Sequence, residues 1–107
     1  MEKKSPHCKL AVVKAMVESG KVRSTLSALA SGGALGFDFD GIVGVVMALT
    51  PADFYKSMTT ADFYKSMTTH ADHRIWQDVY RPTTPAGEVY LKLTVIDDVI
   101  IVSFKEL

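Results

Sequence analysis

Apolar positions recur at helical spacing in the first half of this 107-residue chain and at strand spacing in the second. Ser5 followed by Pro6 reads as an N-cap with proline at the first helical position. Leu10, Val13, Met16 and Val17 then share one face before Gly20 closes the segment. Residues 24–31, rich in Ser, Ala and Leu, predict a second, shorter helix that exits at Gly32-Gly33. Asp38 or Asp40 can cap a third helix through Ile42, Val46 and Leu49, and Thr50, Pro51 and Asp53 start a further helical turn. Residues 75–81, 87–96 and 99–106 are strands by alternation and by their valines, isoleucines and tyrosines. Asp97-Asp98 predicts a tight hairpin turn, and Pro82, Pro85 and Gly87 a longer connection. Helices followed by a meander predict an α+β fold, with N-terminal helices packed on one face of a mainly antiparallel C-terminal β-sheet. The length predicts a single domain over residues 1–107.

Between the two halves, residues 52–60 read ADFYKSMTT and residues 61–69 read ADFYKSMTT again. Two copies of nine residues fall short of the roughly 20-residue period of stacked repeats, so the second copy is an insertion within one small domain. Side chains alternate along a strand, so positions nine apart face opposite sides, and Lys56 and Lys65 cannot serve one site in an unbroken strand. Eighteen strand residues would also extend about 60 Å, too far for a domain of this size. One copy therefore loops out, folds back or pairs with another molecule. Nine extra loop residues cost only about 1 kcal/mol in closure entropy. Copy two is nearer in sequence to residues 75–81 and is the expected sheet strand, which makes Lys65 the working lysine. Copy one in the sheet is the competing arrangement, and exchange of the spare strand in a swapped homodimer is the third.

Composition narrows the class. No apolar run approaches the roughly 20 residues of a membrane helix, and MEKKSPH lacks the apolar segment of a secretory signal, so a cytoplasmic protein without membrane attachment is expected. Cys8, the only cysteine, excludes an intramolecular disulfide and a cysteine-based zinc cluster, and reads as a small helix residue rather than a reactive thiol. The formal net charge is zero, but residues 1–23 hold six basic and two acidic side chains, so a neutral protein can still carry a basic patch. His70, Asp72 and His73 in HADH have a metal-like spacing. They supply too few fixed ligands, and the turn reading is preferred, with no metal site and no cofactor expected.

Alternation assigns faces within the strands: Tyr90, Lys92 and Thr94 share one side, Gln77 and Arg81 share a side of theirs, and Lys105 lies near the end of the last strand. Trp76 reads as core, and the Phe54, Phe63, Met58 and Met67 pairs first as apolar packing. With one copy of the repeat removed, the central stretch reads LTPADFYKSMTTHADHRIWQDVYRP. Its DFYKSMTT, DH-x-IWQDVYRP and the terminal VSFKE, together with MEKKSPH, LGFDFDG and GEVYLKLTVIDDVIIVSFKE, closely resemble the MqsR family of bacterial mRNA interferase toxins. The resemblance spans nearly the whole chain, and the nine extra residues are the departure from it.

The resemblance implies the fold of RelE-like toxins and the activity of a type II toxin: a ribosome-independent, metal-independent endoribonuclease acting on mRNA at GCU-like sites and arresting growth. It also implies inhibition by an MqsA-type antitoxin with a zinc-binding, toxin-facing domain and a helix-turn-helix DNA-binding domain. The alternatives are a catalytically impaired variant that still binds its antitoxin, and the swapped homodimer. Metal-free RNA cleavage needs a base for the ribose 2′-OH, an acid for the leaving oxygen and cations for the phosphorane. Free Lys and Tyr have pKa values of about 10 and are poor bases at neutral pH. Lys56 or Lys65, and Lys105, are therefore assigned mainly to phosphate stabilisation, Tyr90 to proton transfer or phosphate binding, and Gln77 to substrate orientation. The family's active-site lysine in FYKSM, glutamine in IWQDVY, tyrosine in VYLK and lysine in SFKE match the same positions. Arg81, Lys92, Tyr55 or Tyr64, and Met58 or Met67 are candidates for lining the RNA groove.

Overall fold

A computed structural model describes residues 2–59 and 75–107. In chain order the elements are β1 (Glu2–Lys3), α1 (Leu10–Glu18), β2 (Val22–Ser24), α2 (Leu26–Ala34), α3 (Phe39–Ala48), a 3-10 turn (Pro51–Asp53), β3 (Phe54–Thr59), β4 (Trp76–Tyr80), β5 (Thr83–Thr84), β6 (Gly87–Ile96) and β7 (Asp98–Glu106). The sheet runs β1-β3-β4-β6-β7-β2, with β5 paired to β6 off this path. Every pairing is antiparallel except that of β2 with β7. The α+β architecture predicted by the change of period is the one observed.

The helices cover one face of the sheet. Val13, Val17, Ala28, Ile42, Val46 and Leu49 from the helices and the loop after α3 join Tyr80, Val89, Leu91, Leu93, Val99, Ile101 and Phe104 in a single buried core. Asp38, rather than Asp40, caps α3 by accepting from the Gly41 N–H at 2.8 Å. The Thr50 N–H donates to Asp53 Oδ2 at 2.9 Å and closes the next turn, which delivers the chain directly into β3. Asp97 forms the apex of the β6–β7 hairpin with φ 64°, a left-handed conformation that Asp tolerates better than most residues.

Three boundaries differ from the pattern reading. The first helix starts at Leu10, not beside Ser5-Pro6, because the His7 and Cys8 N–H groups donate to the buried Asp78 carboxylate at 2.9 and 3.0 Å and hold that stretch in a loop. Cys8 consequently precedes the helix. The second helix begins after Thr25, whose side chain caps it, and runs through Gly32-Gly33 to Ala34. Gly32 packs closely: a Cβ there would lie 2.6 Å from Ile42 Cδ1 and 3.2 Å from Phe104 Cδ1, so the Ile42 side chain would have to shift to admit one. The chain then turns at Gly36, with φ 90°.

The largest correction concerns the repeat. Copy one, not copy two, supplies the sheet strand: Phe54 pairs with Tyr80, Lys56 with Val79, Ser57 with Asp78 and Met58 with Gln77. Proximity to β4 along the chain is outweighed by the anchors around copy one. The Asp53 carbonyl accepts from the Arg81 N–H at 2.8 Å, Phe54 packs edge-to-face on Tyr80 at 5.6 Å, and β1 pairs along the outer edge of β3. Copy two, with Tyr64, Lys65 and Met67, and the HADH segment lie outside the described residues.

Candidate active site

Among the described residues no helix covers the sheet face opposite the core, and register gathers basic side chains on it. Lys56 of β3 pairs with Val79 of β4, Val79 with Lys92 of β6, and Lys92 with Ser103 of β7, which makes one row across four strands. Two residues along β6, Tyr90 pairs with Lys105. The Lys92 and Lys105 ammonium groups lie 5.8 and 5.2 Å from the Tyr90 ring centre. Val79, fully buried between the two lysines of its row, gives the site an apolar floor that strengthens electrostatic interactions above it.

A second aromatic extends the patch. A bulge between Phe54 and Lys56 brings Tyr55 to the surface, 41 % exposed. Around its ring stand Arg81 at 4.8 Å, Lys56 at 5.5 Å and Lys4 at 5.7 Å. Cations over tyrosine faces are held by the ring quadrupole, and the two tyrosines organise charges that would otherwise repel one another. The repulsion is still visible at Lys92, whose pKa is lowered by partial burial first and then by Lys105 and Lys56. An anion placed among them would relieve it.

The sequence assignments fall on this face as follows. Lys56, Lys92, Tyr90, Lys105, Arg81 and Tyr55 contribute to the basic patch just described. Gln77 is buried in the same face, paired with Met58 on β3, so its amide forms part of the floor rather than the rim. Thr94, which shares the parity of Tyr90 and Lys92, is buried and donates to the Trp76 carbonyl at 2.7 Å, a structural role. Trp76 is half-buried rather than core. It stacks on His7 at 5.5 Å beneath the Lys3 ammonium at 4.2 Å, away from the lysine row.

Neighbouring Asp78 points the other way. Its carboxylate accepts from the Ser57 hydroxyl at 2.6 Å and from the His7 and Cys8 N–H groups, so it ties β3, β4 and the N-terminal loop together. Burial first, and then the same carboxylate, raises the Cys8 thiol pKa, which disfavours the thiolate. The basic excess of residues 1–23 does not form one patch. Lys4 reaches the site, Lys14 donates to the Leu49 carbonyl at 2.6 Å, and Arg23 pairs with Asp98 at 3.3 Å.

Two contributors were not legible in the pattern. Lys4 approaches Tyr55, and the Glu2 carboxylate lies 3.2 Å from Lys56 Nζ. Both depend on β1, whose two residues are too few to show a period.

Comparison with known proteins places the chain in a family. The family profile described as motility quorum-sensing regulator, toxin of MqsA, matches residues 5–62 and again residues 59–106, the two matches overlapping at the repeat. The chain is also 55 % identical over 106 residues to the mRNA interferase toxin MqsR of Escherichia coli (strain K12), covering 99 % of each chain.

Proposed function

The chain belongs to the MqsR toxin family, and from that premise we propose that it is a type II toxin: a metal-independent, ribosome-independent endoribonuclease that cleaves mRNA at GCU-like sites in the cytoplasm and arrests growth. The observation that carries this reading is the grouping of Lys56 and Lys105 about Lys92, with Lys92 and Lys105 over the Tyr90 ring, on the sheet face opposite the core. Three ammonium groups above an apolar floor supply the positive charge that a trigonal-bipyramidal phosphorane demands, and they are in place before the substrate arrives. Lys56 and Lys105 hold the non-bridging phosphate oxygens. Tyr90, between two cations, transfers a proton or binds the phosphate. Gln77 orients the nucleotide, while Lys92, Arg81, Tyr55 and Met58 line the path of the strand. Tyrosine and arginine along a basic groove suit single-stranded RNA, whose bases stack on such planes.

The described placement of copy one supports an active enzyme over an impaired one, because Lys56 already stands in the lysine row. The family description, toxin of MqsA, supports control by an MqsA-type antitoxin, for which the resemblance implies zinc-binding and DNA-binding domains. The test is cleavage of a GCU-containing transcript with chelator present, with the cut positions mapped. Cutting at GCU that survives the chelator is expected. An intact transcript at micromolar protein would overturn the enzyme reading, and antitoxin binding without cleavage would favour the impaired one.

A further inference from the structure

Every cation named above can bind a phosphate, but none is a ready base. A free lysine or tyrosine with a pKa of about 10 is protonated at neutral pH, whereas a free glutamate, with a pKa of about 4.3, is ionised. On the described part of the basic face, one carboxylate touches the lysine cluster: that of Glu2, whose Oε2 lies 3.2 Å from Lys56 Nζ. Its backbone pairs with Met58, and Met58 pairs with Gln77, so Glu2 stands at the β1 end of the row whose floor is Gln77. Of the other acids near these strands, Glu88 shares the Tyr90 parity near the start of β6 and Glu106 ends β7, both exposed and neither paired with a lysine among the described residues, and three more are committed elsewhere. Asp78 accepts from three donors on the far side, Asp53 closes the Thr50 turn, and Asp98 pairs with Arg23.

We propose that Glu2 is the general base of the cleavage reaction, positioned by Lys56; this rests on the ribonuclease reading above. The Glu2 side chain is about half exposed and the Lys56 side chain only 20 % exposed, so the carboxylate is open to an incoming ribose while its partner is held against the sheet. As RNA enters, Lys56 turns part of its charge to the phosphate. The Glu2 carboxylate takes the proton of the 2′-OH while the 2′-oxygen forms a bond to the adjacent phosphorus. The bond from phosphorus to the 5′-oxygen breaks, and that oxygen leaves with a proton from the Tyr90 hydroxyl. The products are a 2′,3′-cyclic phosphate and a 5′-hydroxyl. Glu2 then releases its proton to solvent and Tyr90 regains one, so no other reactant is consumed.

The charged groups facing Glu2 decide what the test must separate. Lys56 contacts it from β3, Lys4 follows it beyond β1, and Lys92 and Lys105 stand farther along the same face. A counter-ion that merely neutralises Lys56 would share this geometry. The full chain and its Glu2→Gln and Glu2→Asp variants should be assayed for kcat across pH on a GCU-containing RNA. Binding of the same RNA carrying a 2′-deoxy sugar at the cut site, which cannot react, should be measured alongside.

For a base, Glu2→Gln lowers kcat about 10²- to 10⁴-fold and removes the acid limb of the pH profile. Glu2→Asp keeps the limb with reduced kcat, and binding of the deoxy RNA is unchanged or tighter. Wild-type kcat in Glu2→Gln, or a surviving acid limb, would overturn the proposal and make Glu2 a counter-ion, with Lys92 the next base to test. Loss of deoxy-RNA binding in Glu2→Gln would equally overturn it, as a structural effect of β1. A silent wild-type chain would overturn the ribonuclease reading and the base role together, which is distinct from silence in the variants alone.

Discussion

On the helix-covered side of the sheet the buried Asp78 carboxylate accepts from three donors, and on the opposite side Lys56, Lys92 and Lys105 crowd together with Glu2 as the carboxylate in contact. The two sides are built from alternate residues of the same strands, so backbone and chain context do not distinguish them. What differs is whether a charge has been satisfied within the protein. The first arrangement is that of a structural joint. The second keeps like charges close at a cost to the fold, which is the pattern of a surface that waits for an anion.

Breaking one member on each side should produce opposite kinds of damage. Lys56→Ala is expected to reduce cleavage of a GCU-containing RNA by about 10²- to 10³-fold, the range seen when one preorganised charge donor is removed. Its thermal midpoint should hardly move. Asp78→Ala should do the reverse. It leaves the His7 and Cys8 N–H groups and the Ser57 hydroxyl without their acceptor, at a cost of about 3 kcal/mol or more in urea unfolding. An Asp78→Ala variant of wild-type stability, or a Lys56→Ala variant that unfolds, would erase the contrast.

A smaller effect compares the faces by pH. Tyr80, on the core side, is buried with a hydroxyl that has no partner among the described residues, and its pKa is pushed up to about 12, chiefly by burial and then by Asp78. Between pH 10 and about 12 the unfolded chain loses that proton while the folded chain keeps it, so stability falls as pH rises through this window. Lys92, on the open side, has its pKa lowered, so below its ordinary value of 10.5 the unfolded chain holds more protons and stability rises with pH up to that point. Tyr80→Phe should abolish the alkaline loss and, by removing a buried orphan hydroxyl, stabilise by about 1 kcal/mol at neutral pH. Lys92→Met should flatten the rise and weaken RNA binding. Unfolding curves at a series of pH values would read both, and a Tyr80→Phe variant that still loses stability above pH 10 would contradict the assignment.

These contrasts also explain what could be read in advance. The Asp38 cap with Ile42, Val46 and Leu49, and the long β6–β7 hairpin around Asp97, are local patterns of sufficient length, and they were legible. So were the faces of Tyr90 and Lys92, because parity along a ten-residue strand assigns faces without tertiary knowledge, and Lys105 by its place near the end of the last strand. The two- and three-residue strands β1 and β2 were not legible, since no period exists in so few positions. Gly32 looked like a helix exit because its reason for being glycine, the approach of Ile42, belongs to another helix. Glu2 was invisible for the same cause: its meaning comes from Lys56, 54 positions away.

The smallest effect concerns the repeat, whose two copies are identical in sequence and whose first copy supplies β3. Removing residues 52–60 or residues 61–69 yields the same 98-residue protein, so a single deletion asks whether the sheet face depends on the extra nine residues. The remaining copy would follow Thr50-Pro51, place Asp53 in the same cap and set Lys56 opposite Val79 again. Cleavage should then stay within about threefold of the full chain, and stability should rise by only about 1 kcal/mol through the shorter connection between β3 and β4. That corresponds to a thermal midpoint roughly 4–8 °C higher for a domain of this size. A large gain in cleavage on deletion would mean that the extra residues obstruct the lysine row. A large loss would mean that they contribute to it, and either outcome would replace the two-faced picture with one in which the repeat belongs to the working face.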